Sequence, residues 1–125
     1  MREEDKNLLM IDLCSRLPYG VKVEAETWLE DEGEFAYVPD KVYSINSDGY
    51  IVHGYDEVYE CKPYLFPLSS MTEEQKEEFD RLYTYDALII NPQWELIDWL
   101  NKNHFDYRGL IEKGLAIDAT NKNIY

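Results

Sequence analysis

Hydrophobic positions near the start of the chain recur at helical spacing. Leu9, Met10, Leu13, Cys14 and Leu17 follow one another at intervals of one, three and four residues. This spacing is typical of one face of an amphipathic helix. It predicts a helix from Glu3 to Leu17 that ends at Pro18-Tyr19-Gly20, with Cys14 on the inner face.

The hydrophobic period changes to two after Gly20. Val21, Val23, Ala25 and Thr27 alternate with Lys22, Glu24 and Glu26, as a half-solvated antiparallel strand requires. An acidic loop follows at 30–33, and further strands are predicted at Glu34 to Val38, Lys41 to Ile45, Tyr50 to His53 and Glu57 to Lys62. Asn46-Ser47-Asp48-Gly49 is typical of a hairpin turn, because Gly accepts a positive φ.

Helical signals dominate the second half of the chain. Lys62-Pro63 and Phe66-Pro67 interrupt regular strand pairing, and Thr72 with Gln75 matches a capping box that begins a helix to about Tyr83. Asn91 as N-cap and Pro92 at N1 begin another helix, which ends near Asn103. Asp106 caps a last short helix from Tyr107 to Lys113, which Gly114 closes in a left-handed conformation with Leu115 packed behind it.

This order of elements predicts an α+β fold. An N-terminal helix precedes a small antiparallel sheet, either open or curled into a small barrel, and C-terminal helices follow. A chain of 125 residues is long enough to bury roughly two-thirds of its unfolded surface. We therefore predict a single domain over residues 1–125.

Charge narrows the possible partners. The chain has 26 acidic and 12 basic residues, a formal charge of −14, and the basic side chains are scattered singly among acids. Direct binding to nucleic acid or to an anionic membrane is disfavoured, because it needs clustered Lys and Arg. A protein partner, if charged, is expected to be basic.

Cysteine usage and hydropathy indicate the compartment. Cys14 and Cys61 lie far apart in segments of opposite type, and the longest purely apolar runs are four residues each. Neither a disulfide framework nor a membrane-spanning segment is suggested. We expect a cytoplasmic protein.

The sequence contains no strong catalytic or metal-binding motif. Ser44-x-Asn46-x-Asp48-Gly49 follows the order of calcium ligands in an EF-hand, but the required Glu falls on Tyr55. His104 lies where a helix should end, which favours a packed ring or a partner for free carbonyls over a general base. We therefore predict no metal, no cofactor and no catalytic residue.

Tyrosine is concentrated in the strand region, among carboxylates. Tyrosine offers a large rigid contact area with a polar tip, which protein interfaces favour. The alternative is that these rings fill half-buried strand positions. The predicted partner-binding residues are Tyr37, Asp40, Tyr43, Asp48, Tyr50, Tyr55, Asp56, Glu57, Tyr59 and Glu60.

Tyr107-Arg108 is a second candidate site. An arginine can clamp a ligand carboxylate with two parallel hydrogen bonds. The alternative is that Arg108 pairs with an acid of its own chain and orients the last helix.

Two stretches resemble a known group of proteins. They are Lys62-Pro63-Tyr64-Leu65-Phe66-Pro67-Leu68-Ser69-Ser70-Met71-Thr72-Glu73-Glu74-Gln75, and Asp98-Trp99-Leu100 through His104-Phe105-Asp106-Tyr107-Arg108-Gly109-Leu110-Ile111. They resemble short uncharacterised proteins encoded by gut anaerobic bacteria and their bacteriophages, over roughly the C-terminal half. The resemblance implies a small cytoplasmic protein carried on a prophage or mobile element. It supplies no activity, cofactor or catalytic residue that could be assigned to this chain.

Three functional hypotheses remain. The first is a non-enzymatic protein-binding module, in its strongest form an inhibitor whose carboxylates imitate nucleic-acid phosphates. The second is a structural or accessory phage subunit that self-associates through a sheet edge or through Trp94, Trp99 and Phe105. The third is a small enzyme with a carboxylate and histidine site.

Overall fold

The fold follows from a computed structural model, which describes residues 2–45, 51–53, 56–58, 61–89 and 94–125, with the backbone alone at 25–29, 51–53, 56–58 and 84–89. The helices are α1 (Glu3–Arg16), α2 (Glu73–Ile89) and α3 (Trp94–Lys102). The strands are β1 (Lys22–Leu29), β2 (Glu34–Ile45), β3 (Ile51–His53), β4 (Asp56–Val58), β5 (Tyr64–Pro67), β6 (Phe105–Asp106) and β7 (Ile117–Asp118). The predicted α+β class, with its N-terminal helix, small antiparallel sheet and C-terminal helices, is confirmed.

Helix α1 lies close to its predicted position, but its buried face differs from the prediction. Leu9 and Leu13 are buried as expected, whereas Cys14 is exposed. The inner face is completed instead by Asp12 and Arg16, which are both 0% exposed and paired with each other. The prediction for Cys14 was wrong because the apolar pattern treats every charged residue as outward-facing.

The first sheet is an antiparallel meander with strand order β1-β2-β3-β4, and the described strands form no closed barrel. Strand β1 pairs with β2 over its full length, from Lys22 opposite Lys41 to Leu29 opposite Glu34. The predicted break between two strands at Pro39 was wrong, because Pro39 takes a place in β2 that needs no hydrogen bond to β1. The predicted turn at 46–49 lies outside the described residues.

A second, parallel sheet was not predicted. Strand β5 lies between β6 and β7, with Phe66 opposite Phe105 and Tyr64 opposite Ile117. The prolines at 63 and 67 predicted a break in strand pairing. In the structure Pro63 directly precedes the four-residue strand β5, and Pro67 is its last residue. Its partners lie about 40 to 50 positions further along the chain, beyond the reach of any local pattern.

Helix α2 begins with the predicted capping box. The backbone N–H of Gln75 donates to Thr72 Oγ1 over 3.1 Å, and the backbone N–H of Thr72 donates to Gln75 Oε1 over 2.9 Å. The helix continues to Ile89, beyond the predicted end near Tyr83. The predicted N-cap of α3 lies outside the described residues, and its predicted end near Asn103 is confirmed.

The predicted last helix at 107–113 was wrong. Gly109 has a φ of +74°, which breaks helical geometry, and the segment forms turns. Asp106 still caps, because its carboxylate accepts the N–H groups of Leu110 and Ile111 over 2.9 Å each. The predicted left-handed closure is confirmed at Gly114, with φ +76°, and Leu115 behind it is buried.

Two packed clusters join the helices to the sheets. The first lies between α1 and the strands and includes Leu13, Val23, Val42, Leu65 and Leu110. The second lies under α3 and consists of Leu96, Leu100 and Phe105, with rings from α2 and β5 packed against it.

Candidate functional site

The β1–β2 hairpin concentrates negative charge. From Glu24 to Asp40 the chain has no Lys or Arg. The seven acidic residues of this segment equal half of the formal charge of −14. This segment is called the arm below. Its acidic residues are Glu24, Glu26, Glu30, Asp31, Glu32, Glu34 and Asp40. The carboxylates at 30, 31, 32 and 34 are exposed at its tip.

Aromatic side chains lie on the same hairpin. Phe35 is 62% exposed, Tyr37 67% and Tyr43 60%. Phe35, Tyr37 and Lys41 occupy odd positions of β2, so their side chains share one face of the sheet. The alternation is interrupted at Tyr43 by a register shift between Val42 and Ser44, but the Tyr43 ring still lies beside this face, with its centre 6.0 Å from Lys41 Nζ. The face combines exposed aromatic area with adjacent carboxylates, which suits an interface more than solvent.

The structure brings together only part of the predicted binding set. Tyr37 lies on the exposed face and Tyr43 beside it, whereas Asp40 is half-buried on the alternate positions and its Oδ1 accepts the Lys41 N–H over 2.9 Å. Asp56 and Glu57 lie in β4, where the backbone alone is described. The predicted residues Asp48, Tyr50, Tyr55, Tyr59 and Glu60 lie outside the described residues. The shared face of this set therefore stays a prediction.

Arg108 lies in contact with residues of its own chain. Its Nε donates to Asp12 Oδ1 over 3.2 Å, and its Nη2 lies 3.3 Å from Ser15 Oγ and 3.1 Å from the Tyr107 hydroxyl. These contacts are the internal pairing of Arg108 with an acid of its own chain, the alternative to a ligand clamp. They join α1 to the segment after β6, and the clamp at Tyr107 and Arg108 stays a prediction.

Asp12 also binds Arg16, which the sequence analysis did not single out. Arg16 Nε and Nη2 donate to the two Asp12 oxygens over 2.8 and 3.1 Å, and Nη2 also donates to the Phe105 carbonyl over 2.6 Å. One buried carboxylate is thus shared by two guanidinium groups. The available signal was an Asp and an Arg four residues apart on the apolar stripe of α1.

Tyr107 lies between the two arginines. The Cζ atoms of Arg16 and Arg108 lie 5.2 and 4.9 Å from the centre of its ring, within the range of cation–π attraction. Its hydroxyl donates to Asn101 Oδ1 over 2.8 Å, which extends the network to the end of α3. The cluster holds α1, α3 and β6 together through charge-assisted hydrogen bonds.

His104 is a packed ring, as its favoured interpretation predicted. It is 7% exposed, and its ring stacks on Tyr125 with centres 3.8 Å apart and planes 11° apart. Burial, with the nearby charges of Arg16 and Lys22, lowers the pKa of His104 to about 4. A neutral, enclosed imidazole is poorly suited to general-base catalysis near pH 7.

Tyr125 joins the two sheets where their strands diverge. Its hydroxyl accepts the Lys22 N–H over 2.8 Å and donates to the Tyr64 carbonyl over 2.8 Å. It therefore links the backbones of Lys22 and Tyr64, next to the isolated Val23–Pro63 bridge. Burial raises the pKa of the Tyr125 phenol to about 12 although 42% of the residue is exposed, because the hydroxyl end is inserted.

The remaining candidates for chemistry are separate from one another. Burial, with a smaller effect of Glu24, raises the pKa of the Cys61 thiol to about 11, which disfavours the reactive thiolate. A cavity of about 220 Å³ is lined by Phe66, Ser70, Thr72, Gln75 and Phe105, none of which is an acid or a base. Within the described residues, no group of His, Cys, Asp or Glu is placed to hold a metal ion.

Comparison of the chain with known protein families, with curated proteins and with solved structures found no match. In the part of the chain that the structure describes, no helix combines the length and the apolar character needed to cross a membrane.

Proposed function

We propose that this protein is a non-enzymatic binding module that engages a basic protein partner through the arm. The observation that carries the proposal is the combination, within the arm, of seven acids, no Lys or Arg, and the exposed rings of Phe35 and Tyr37. Among the arm side chains that the structure describes, none is fully buried. The tip carboxylates at 30, 31, 32 and 34 are exposed, so they are available to contact a partner.

The arrangement supports fast, salt-sensitive association. Charges of one sign on an exposed element create a local potential that attracts an oppositely charged surface and raises the association rate. The aromatic rings of Phe35 and Tyr37 then supply contact area that charge alone lacks. In the strongest form of the proposal, the carboxylates at the tip take the place of phosphates on a nucleic-acid-binding protein in the cytoplasm of a prophage-carrying bacterium.

The test is a pull-down from lysate at low and at moderate salt, with matched charge variants. The tip variant carries Glu30→Gln, Asp31→Asn and Glu32→Gln. The control variant removes the same charge from exposed positions outside the arm, through Glu77→Gln, Asp80→Asn and Glu112→Gln.

We expect capture of a basic partner that the tip variant weakens about tenfold at low salt and the control variant leaves nearly unchanged. Moderate salt should reduce the difference between the two, because exposed charges are screened. Equal effects of both variants would show that only net charge matters, and the arm would then not be the interface.

The geometry gives less support to the other two hypotheses. An enzyme needs convergent polar groups, but His104 and Arg108 are engaged in separate internal contacts and the described cavity contains neither. Self-association through the C-terminal rings would need them exposed. Phe105 is 1% exposed and stacks on Trp99 with centres 5.5 Å apart, so of the three rings only Trp94 is largely exposed, at 62%.

A further inference from the structure

The backbone groups of β2 alternate in direction, and the hydrogen bonds define which residues face outward. The Val42 N–H donates to the Val21 carbonyl over 3.0 Å, whereas the Glu24 N–H points away from β2 and donates to the Lys62 carbonyl over 2.9 Å. Glu24 lies opposite Pro39. In such a non-hydrogen-bonded pair, both residues direct their backbone groups to the outer edges. Tyr37, two positions before Pro39, faces outward in the same way.

The outer edge of β2 is closed at the base of the arm. Pro39 has no N–H to offer an incoming strand, and the outward N–H of Lys41 is already bonded to Asp40 Oδ1 over 2.9 Å. Beyond these residues, Val42 begins the pairing with β3. A proline and a side chain bonded to an outward N–H both prevent another strand from pairing with an exposed edge.

The edge is open at Tyr37. Its N–H and its carbonyl both point away from β1, and no described strand pairs with the outer edge of β2 before Val42. The Tyr37 ring beside this edge is 67% exposed. An extended segment can therefore add here, with its register limited by the closed base.

The charge of the arm decides what kind of segment fits. A second copy would bring another arm with seven acids and no base into direct contact, and like charges across a strand pair are destabilising. A basic segment would instead bring Lys or Arg next to the carboxylates at the tip. Their aliphatic stems can pack on the Tyr37 ring while the charged groups reach the acids.

We propose that β2 accepts an extended basic segment of a partner protein as an added strand beside Tyr37. The inference rests on the proposed function, since it assumes that the arm is the interface. The Tyr37 N–H donates to a carbonyl of the added strand, and the Tyr37 carbonyl accepts one of its N–H groups. Main-chain bonds would supply affinity and the alternating basic side chains would supply selectivity.

The experiment uses a labelled peptide of four Lys-Val repeats as the probe, with binding followed by fluorescence anisotropy at low salt. Tyr37→Pro and Tyr37→Ala both remove the ring, but only the proline variant also removes the outward N–H. The strand already accepts Pro39 in the same orientation, so its pairing with β1 should survive. We expect Tyr37→Pro to weaken binding about tenfold beyond Tyr37→Ala.

A second measurement does not depend on the folding of the proline variant. The same peptide, methylated at the alternate amides that would face β2, should lose binding to the wild-type chain, while methylation of the other alternate set should not. On binding of the unmodified peptide, hydrogen exchange of the Tyr37 amide should slow. These results would support the added strand.

The outcomes separate this inference from the proposed function. Equal weakening by both Tyr37 variants, or no discrimination between the two methylated peptides, would overturn strand addition. If the tip variant still weakened peptide binding in that case, the arm would remain the acidic interface. Peptide binding that changes neither with salt nor in the tip variant would overturn both proposals. Both would also be overturned if the peptide did not bind and the pull-down captured no partner.

Discussion

Removal of the Asp12 carboxylate should be the most damaging single change to a polar group of this protein. Asp12 is 0% exposed and accepts hydrogen bonds from both Arg16 and Arg108. Without it, the Arg16 guanidinium remains fully buried with only the Phe105 carbonyl as an acceptor. Its Nη1 has no hydrogen-bond partner among the described residues, so loss of Asp12 would leave this buried cation with few acceptors.

The expected costs differ among the three members of the network. Breaking a buried ion pair by removal of one partner costs about 3–5 kcal/mol, so Asp12→Ala should lose about 4 kcal/mol. Arg16→Met should cost somewhat less, because Arg108 remains on the carboxylate that is left behind. Arg108→Ala should cost about 1 kcal/mol or less, since its side chain is 23% exposed and water screens the interaction.

Urea unfolding followed by tryptophan fluorescence measures these differences. With an m-value of about 2 kcal/mol/M, a loss of about 4 kcal/mol lowers the midpoint by about 2 M. Native domains are stable by only about 5–15 kcal/mol, so Asp12→Ala can leave little folded protein. Asp12→Asn keeps the volume and one acceptor oxygen, and it provides a variant with a measurable transition.

The order of the three losses of stability tests the role of each partner in the network. A cost of less than about 1 kcal/mol for Asp12→Asn and Asp12→Ala would show that the buried network stabilises the fold no more than a surface pair does. A cost of Arg108→Ala equal to that of Asp12→Ala would show that the outer arginine, and not the fully buried one, is the dominant partner.

Three further predictions concern single contacts. The pKa of His104 is about 4 in the folded protein against an ordinary value of about 6.5, so the unfolded state binds its proton first and stability should fall by about 3 kcal/mol as pH decreases from 6.5 to 4. His104 has a φ of +60°, which Asn tolerates, so His104→Asn should fold and flatten this part of the pH profile, and an unchanged profile would contradict the assignment. Tyr125→Phe keeps the stacked ring but leaves two backbone groups without their bridge, so thermal unfolding should show a loss of about 1–3 kcal/mol, and a loss near zero would show that water replaces the hydroxyl. Thr72→Ala should cost about 1 kcal/mol through the capping box, and Gln75→Ala a similar or smaller amount, with an additive double variant counting against a reciprocal cap.

The carboxylates and tyrosines of the strand region predicted an acidic interface, which stays a prediction. In the structure Tyr37 and Tyr43 are both largely exposed. The sequence did not show that Asp40 Oδ1 would accept the Lys41 N–H, because that contact depends on the direction of the N–H group. It also did not show that β2 would continue through Pro39.

What the sequence by itself determined are the features whose causes lie within a few residues. The capping box at Thr72, the left-handed turn at Gly114, and the presence of a helix at α1 and a strand at β1 are confirmed, since each depends on local hydrogen bonds or on the spacing of side chains along one element. Such interactions are present in any fold that contains the segment.

Only the tertiary structure decided which distant groups meet. Asp12 and Arg16 are buried because Arg108 and the Phe105 carbonyl, about 90 positions away, complete their hydrogen bonds. Likewise β5 is a strand because β6 and β7 lie on both sides of it. A charged or proline-bounded segment takes a buried place when its partners arrive from elsewhere in the chain, and no local pattern records where those partners are.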